Sequence, residues 1–468
     1  MNRSTSGGPN PNGPQGRPRQ RAGREAAEFG LKTRGKRKRE RSGQEGVAIL
    51  MVLIALAILF PFTASFNYKS RVDWQAAINH GDEVRARAIQ RGAMQLSVLM
   101  FELQRMVFNQ KQFRDFAGAW DITMLAPYLM GMFGSEDGAE GVGALIQESV
   151  GAQFDLSALS EFGLDTGGFE VRLEAESGKI NVNCLAIEKD GENSPRSRVA
   201  ETLEALMLPP LYDPLFDEEK SDGQRYTRQQ VIQAIVDYID DDTKQFDAYR
   251  LRNGSQDERY RYTELADPYQ SRDARLDSID ELYLVEGIDD DWMAAFGHEL
   301  TVYGGCKVNL NFASPEQIAL VLRHAVSGND RDKTEGENFL TMTMPLANFV
   351  VQSREFNLFQ KLEDFKSMVA KPDQYLNPLL LLGDGGDNTS NLPKVPVGME
   401  VRVNGGSRNG ATWGGLRDIS TVEPERIYRI EVITNVGSVR KRLTAIYDIQ
   451  YARSQSAGKG AWLYYRED

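Results

Sequence analysis

Gly46 to Phe66 reads GVAILMVLIALAILFPFTASF, a stretch of 21 residues without a charged side chain. At about 1.5 Å of rise per residue, a helix of this length spans roughly 30 Å, the thickness of the hydrocarbon core of a bilayer. A helix in a soluble core would carry a polar stripe, and this segment has none. A cleaved secretory signal is the competing interpretation, but it requires a shorter apolar core followed by a small-x-small site. The stretch therefore predicts a membrane-spanning helix over residues 47–66.

The charge on either side of this segment predicts its orientation. Residues 1–46 carry a net charge of +8, and the remainder of the chain carries −20 within the overall −12. The leader is rich in Gly, Pro, Asn, Ser and Arg, so it buries too little apolar surface to offset its ordering entropy and is predicted to be disordered. Its basic residues place the N-terminus in the cytoplasm and everything after Asn67 outside it. The acidic body argues against binding nucleic acid.

Beyond the apolar segment, apolar residues keep a helical spacing among polar ones. They predict one long helix over residues 47–108, membrane-embedded at first and then amphipathic. Pro61 lies inside the apolar part and predicts a local kink, because proline removes a helix hydrogen bond. Two cysteines and three histidines are too few for a four-thiolate zinc site or for histidine-rich metal chemistry.

The body of the chain combines strands with an internal repeat. Phe169–Glu176 alternates with period two, and Lys179–Asn183 resumes the alternation after Ser177-Gly178, which predicts a hairpin. The phrase Lys179-Ile-Asn-Val-Asn183 recurs as Lys307-Val-Asn-Leu-Asn311. A helix-prone stretch follows each copy, and Asn181, Asn183, Asn309 and Asn311 are predicted to cap these helices and to stabilise turns. Further helices are predicted over Arg228–Ile239 and Leu276–Ile288, and further strands over Ile427–Gln450.

These phrases, in this order behind the apolar helix, resemble the K class of minor pseudopilins of the type II secretion system. The resemblance is carried by GVAILMVLIALAILF, Gly178–Asn183, Val236–Asp242, Leu276–Leu282 and Thr301–Asn311. It implies an α+β, pilin-like fold in which a long N-terminal helix packs on an antiparallel sheet with a large inserted helical domain. The implied domains are a leader (1–46), the start of the transmembrane helix (47–66), the stalk and first strands (67–183), an inserted acidic helical domain of SAM-like or helix-hairpin-like type (184–298), and a second repeat with the C-terminal sheet (299–468).

The resemblance also implies a function and a processing site. A prepilin peptidase is expected to cut between Gly46 and Val47, with methylation of the new amine. Met51 stands where most pilin-like subunits carry a glutamate. The implied protein is a non-enzymatic, single-pass inner-membrane subunit with a periplasmic body that caps and initiates the pseudopilus. Its implied partners are the I and J minor pseudopilins, the major pseudopilin, the peptidase and the inner-membrane assembly platform. The alternative is a membrane-anchored extracytoplasmic binding protein or enzyme with an uncleaved anchor, although no Ser-His-Asp order or His-Glu-x-x-His motif is present.

The sequence predicts two further sites in the body of the chain. Asp237, Asp240, Asp242 and Asp247 cluster at the end of a predicted helix, and hard cations such as calcium prefer several carboxylate oxygens. Calcium in the inserted domain is what the resemblance implies, and a solvated acidic surface is the alternative. Cys184 and Cys306 each flank one copy of the repeated phrase, outside the cytoplasm, where disulfides persist. A bond between them and a pair of buried free thiols both remain open from the sequence.

Overall fold

The computed structural model describes residues 44–109, 121–124, 126, 167–187, 194–220, 223–257, 260–263, 268–326, 338–354, 358–372, 393, 395, 399–408, 411–449 and 460–468. Residues 1–43 of the predicted leader lie outside the described residues. The chain divides into two compact units, Met1–Trp74 and Gln75–Asp468.

The described elements are helices, strands and short 3-10 segments. The α-helices are α1 Gln44–Asn109, α2 Pro195–Met207, α3 Pro214–Asp217, α4 Arg228–Ile239, α5 Tyr260–Thr263, α6 Asp290–Phe296, α7 Pro315–Ala325, α8 Asn338–Arg354, α9 Leu362–Ala370 and α10 Leu416–Ile419. The strands are β1 Gly167–Ala175, β2 Ile180–Asn181, β3 Lys244–Asp247, β4 Arg252–Asp257, β5 Leu300–Thr301, β6 Val308–Asn309, β7 Gly406–Arg408, β8 Ala411–Trp413, β9 Ser420–Thr421, β10 Ile427–Val436, β11 Val439–Asp448 and β12 Ala461–Glu467. The 3-10 segments are Glu176–Gly178, Val182–Ala186, Pro210–Tyr212, Ile279–Leu284 and Gly297–Glu299.

Helix α1 confirms the long helix predicted from the apolar spacing. It runs for 66 residues and continues through Pro61. In the first unit its apolar side chains are exposed, with Met51 at 64% and Phe60 at 77%. The Thr63 hydroxyl donates to the backbone oxygens of Leu59 (3.0 Å) and Phe60 (2.9 Å), beside the proline. By length and composition this described helix is sufficient to cross a membrane.

The second part of α1 packs on a four-stranded antiparallel sheet. The strand order is β1-β10-β11-β12, and β1 pairs with β10 from Gly167 opposite Val436 to Ala175 opposite Tyr428. Alternate residues of β10 and β11 face α1, because successive side chains of a strand point to opposite faces. The buried cluster between helix and sheet includes Ala93, Met94, Leu96, Met100, Phe101, Tyr428, Ile430, Val432, Leu443, Ala445 and Tyr447. Burial of this apolar surface is what holds the helix on the sheet.

The tight turn between β10 and β11 fits against the stalk part of α1. Gly437 in this turn has φ +56°, and an added Cβ would overlap the Asp82 carboxylate. The Ser438 hydroxyl lies 3.0 Å from Asn79 Oδ1, and Lys441 Nζ lies 3.2 Å from Glu83 Oε1. The turn is thus fixed to the helix by polar contacts where the apolar cluster ends.

A large insertion separates the first two neighbouring strands of the sheet. The chain leaves the sheet after β1 and returns at β10, so residues 176–426 lie between two strands that pair directly. The buried residues of this insertion form a single core that extends from Ile180 to Ile419. The predicted insertion ended at residue 298; the structure differs, because α7, α8 and α9 bury their apolar faces in the same core as the first repeat.

Two copies of one structural unit make up the insertion. Ile180 and Asn181 pair in parallel with Leu300 and Thr301, and Val308 and Asn309 pair in parallel with Ser420 and Thr421. A helix with a Ser-Pro start follows each first strand, and Ser194 and Ser314 accept hydrogen bonds from Ser197 N and Gln317 N as caps. The repeat predicted from the two Lys-x-Asn-x-Asn phrases is confirmed.

The second asparagine of each phrase joins three segments of its own copy. Asn183 Nδ2 donates to the backbone oxygens of Leu276 (2.9 Å) and Val302 (2.8 Å), while its Oδ1 accepts from Leu276 N (2.7 Å). Asn311 repeats this pattern with Phe359 and Val422. These two side chains therefore bridge backbone segments and do not cap the helices that follow, whose caps are Ser194 and Ser314.

Two local predictions were wrong. Residues 169–183 do not form a hairpin, because the 3-10 turn Glu176–Gly178 redirects the chain and β2 pairs in parallel with β5. Residues Ile279–Leu284 form a 3-10 segment with a Ser278–Glu281 capping box instead of an α-helix.

Candidate functional site

The predicted processing site lies near the start of α1. Gly46 is exposed, and a Cβ added there would meet no atom within 4 Å. Among the described residues, no close contact therefore requires a glycine at this position. Val47 is 53% exposed on the same helix. The Gly46–Val47 peptide bond stays a predicted cleavage site, and Met51 follows it with no polar atom to pair.

Two of the predicted calcium ligands are buried at the end of α4. Asp237 is 1% exposed, and its Oδ1 accepts a hydrogen bond from Phe246 N at 2.7 Å. Asp240 is fully buried, and its Oδ2 lies 3.1 Å from Nη2 of Arg196, which is 2% exposed. Strand β3 and helix α2 supply these partners. The acidic run, by which we mean Asp237, Asp240, Asp242 and Asp247, therefore connects α4 to two other elements of the first repeat.

The other two carboxylates lie at the surface of the β3–β4 hairpin. Asp242 Oδ1 accepts from Lys244 N at 2.6 Å, and its Oδ2 accepts from the Asn253 amide. Asp247 Oδ1 accepts from Tyr249 N and Arg250 N, both at 3.1 Å. Within the described part of the chain, no group of three or more His, Cys, Asp or Glu side chains is arranged to hold a metal ion. Calcium binding stays a prediction.

A disulfide joins Cys184 to Cys306, with an S–S distance of 2.02 Å and a Cα–Cα distance of 5.7 Å. Cys184 follows β2 and Cys306 follows β5, so the parallel pairing of these strands brings the two sulfurs together. Beside it lies a cleft of about 380 Å³, lined in part by Asn181, Arg275, Tyr303 and Leu463. The Asn181 amide donates to Gly304 O and the Tyr303 hydroxyl donates to Asp277 O. These two side-chain donors of the cleft are therefore already hydrogen-bonded to backbone oxygens of the protein.

A cluster of charged and polar side chains joins the insertion to the sheet at the point where the chain leaves β1. We call this cluster the neck; it consists of Glu176, Lys179, Thr301 and Arg429. Glu176 is fully buried; its Oε1 lies 2.7 Å from Arg429 Nε and 3.5 Å from Lys179 Nζ, and Oε2 accepts from the Thr301 hydroxyl. Burial would raise the pKa of the Glu176 carboxyl, but the charges of Arg429 and Lys179 and the two hydrogen bonds outweigh it, so this pKa lies below its ordinary value. The neck carboxylate is therefore ionised at neutral pH.

Arg196 and the neck were not singled out from the sequence. An arginine at the second position of a helix and a glutamate at the end of an alternating strand are both ordinary surface patterns. Only the pairing of β2 with β5 and of β1 with β10 places their partners beside them. The periodicity of the chain carries no signal of these contacts.

The helix α1, the antiparallel sheet and the inserted helices define the class of this protein as α+β, and the packing of a long N-terminal helix on an antiparallel sheet is the arrangement that the resemblance implied. Residues 178–305 match the family model of type II secretion system protein K, and the chain therefore carries a domain of that family. This confirms the resemblance drawn from the sequence. The matched residues begin at Gly178 and end at Gly305, so they comprise the first repeat of the insertion.

Among solved structures, the chain is similar to one in the GspK–GspI–GspJ complex of the type 2 secretion system from enterotoxigenic Escherichia coli. The identity is 14% and the TM-score 0.35, and the match covers 65% of this chain and 80% of the other. A likeness this distant carries no argument of its own. No curated protein matches the chain.

Proposed function

We propose that this protein is a K-class minor pseudopilin that caps the tip of the type II secretion pseudopilus and initiates its assembly. One observation carries the proposal: the protein K domain, residues 178–305, is inserted into a sheet that packs on a helix long enough to cross a membrane. The role is non-enzymatic. In the alternative, an uncleaved anchor would hold an extracytoplasmic binding protein or enzyme.

The apolar start of α1 supports placement as a single-pass subunit of the inner membrane. The basic leader favours a cytoplasmic N-terminus and a periplasmic body. A prepilin peptidase would release the leader at Gly46, and the assembly platform would take up the mature subunit. The resemblance to the K class supports the I and J minor pseudopilins and the major pseudopilin as partners.

Met51 and the insertion both support a place at the tip. A carboxylate in the hydrocarbon core costs roughly 3 kcal/mol on insertion scales unless a partner satisfies it. Met51 has no charge, so this subunit needs no amine from a neighbour on that side. The insertion of residues 176–426 adds bulk that repeated stacking along a filament would have to accommodate, and a single terminal copy avoids that demand.

The proposal is tested with the full chain in a host whose own K subunit is deleted. Co-expression with the I and J subunits should restore secretion and give a membrane-extracted complex that contains one copy of each. A variant that lacks residues 178–305 separates anchoring from assembly, because it keeps α1. Recovery of the protein along the whole filament in stoichiometric amounts would refute the tip assignment, and failure to bind I and J would refute the function.

A further inference from the structure

Arg196 is a buried cation in the first repeat. It follows Pro195 at the start of α2, yet 2% of it is exposed, although arginine is almost never fully buried unless it is paired. A buried charge requires both an opposite charge and hydrogen bonds to the rest of its polar atoms. The ion pair and hydrogen bonds of this guanidinium therefore indicate which buried charge it compensates.

The guanidinium is directed into the acidic run at the end of α4. Its Nη2 lies 3.1 Å from Oδ2 of the fully buried Asp240, and its Nη1 donates to Asn253 Oδ1 at 2.9 Å. The Asn253 amide in turn donates to Asp242 Oδ2. The Phe246 ring lies 5.7 Å from the guanidinium carbon. One arginine thus connects two of the four predicted calcium ligands, one directly and one through an amide.

The remaining two carboxylates each accept hydrogen bonds from backbone N–H groups. Asp237 Oδ1 accepts from Phe246 N, and Asp247 Oδ1 accepts from the backbone of its own turn. Calcium takes six to eight oxygens at about 2.3–2.6 Å. The described carboxylates do not converge in any group of three, so the donor set does not fit the ion that the resemblance implies.

We propose that Arg196 is the resident cation of this acidic run and takes the place of calcium. Its charge compensates the buried Asp240, and its second hydrogen bond holds the β3–β4 hairpin on α2 and α4 through Asn253. The hairpin is then ordered without a metal ion. This inference concerns the charge balance of the first repeat, so it stands or falls independently of the secretion role.

The first test uses the full chain in detergent micelles, freed of metal by EGTA. Its thermal unfolding midpoint should be the same with and without calcium, since a ligand that binds only the folded state raises that midpoint. Radioactive calcium should not bind in stoichiometric amounts. A midpoint that rises by several degrees with calcium, or stoichiometric binding that Asp240→Asn abolishes, would overturn the proposal.

The second test uses a pair of matched variants on α2. Arg196→Gln should lower the midpoint strongly, because it removes the guanidinium charge that lies beside the buried Asp240 carboxylate. Arg198→Gln is the control: Arg198 lies two residues further along, is about one-fifth exposed and pairs with Asp418 at 3.6 Å. The double variant Arg196→Gln, Asp240→Asn should be less destabilised than the sum of the single changes. Equal midpoints for Arg196→Gln and Arg198→Gln would contradict the proposal. If Arg196→Gln does not fold, the calcium measurements on the wild-type chain decide.

Discussion

Glu176 shows how one side chain joins the sheet to the insertion. It belongs to the turn that follows β1, and its partners come from β10 (Arg429) and β5 (Thr301). The carboxylate is fully buried, so its contribution depends on remaining ionised. The contribution of the neck to the free energy of unfolding is therefore expected to depend on pH.

Glu176→Gln should lower the free energy of unfolding by about 2 kcal/mol at neutral pH, since hydrogen bonds to charged groups contribute about 1.5–3 kcal/mol. The pKa of Glu176 is depressed in the folded state, so its stabilisation is complete above the ordinary value of 4.5 and is lost as the pH falls through the folded pKa. Denaturant unfolding at several pH values should show the difference between the two proteins narrowing below about pH 4.5. Glu174→Gln is the control, because Glu174 is 56% exposed and its ion pair with Lys179 should contribute at most about 1 kcal/mol. A gap that stays constant to low pH would contradict the pKa argument.

Gly178→Ala should destabilise the protein by about 1–3 kcal/mol, the usual cost of overpacking. A Cβ at this position would overlap the backbone carbonyl of Phe312, which has no freedom to move away. Gly168→Ala is the matched change in β1, where a Cβ meets nothing within 4 Å. Thermal unfolding of the two variants measures the difference, and equal midpoints would show that the two repeats approach less closely at Phe312.

At the scale of elements, local patterns and long-range pairing differ in what the sequence reveals. Helices α1, α2, α4 and α7 were predicted because helical spacing and helix-prone composition are local signals. Strands β10 and β11 were predicted from the alternating residues of Ile427–Gln450. The pairing of β2 with β5 was not, because a two-residue parallel ladder leaves no periodicity and its partner lies far along the chain.

The candidate sites follow the same division. Gly46, the four aspartates and the two cysteines are visible in the sequence as residue types in a pattern. The arginine that pairs with Asp240 is not, because 44 positions separate it from its partner and only the packing of α2 against α4 brings them together. The sequence therefore indicated where charge is concentrated, and the structure supplied the counter-charge.

Helix α1 carries the prediction about processing. Gly46→Val should leave the leader attached to the membrane-bound protein, because the peptidase of the pilin-like class cuts after glycine. Gly81→Val is the control on the same helix, since neither glycine has an atom within 4 Å of an added Cβ, and it should be processed normally. Intact mass and N-terminal sequencing of extracted protein distinguish the two forms. Wild-type protein that keeps its first 46 residues beside an active peptidase would exclude the assignment.

At the scale of the whole molecule, the Cys184–Cys306 bond closes a loop with a sequence separation of 122. Thiol counting under denaturing, non-reducing conditions should detect no free thiol, and reduction should release two. A loop of this length should contribute roughly 4–5 kcal/mol in the chain-entropy account, so the Cys184→Ser, Cys306→Ser variant should unfold at a correspondingly lower temperature. Two free thiols in the unreduced protein would show that the bond does not form.

The position of this bond also determines how the protein would bear mechanical load. A pulling force applied between β1 and β6 is transmitted through the disulfide from Cys184 to Cys306. The residues between the two cysteines are bypassed by this covalent link and are not stretched. The second repeat has no such link, because the chain's two cysteines are both used in the first. Its ends are held by the short β6–β9 pair and the Asn309 and Asn311 amides. Under a stretching force the second repeat is therefore the compliant part, and the protein K domain keeps its shape.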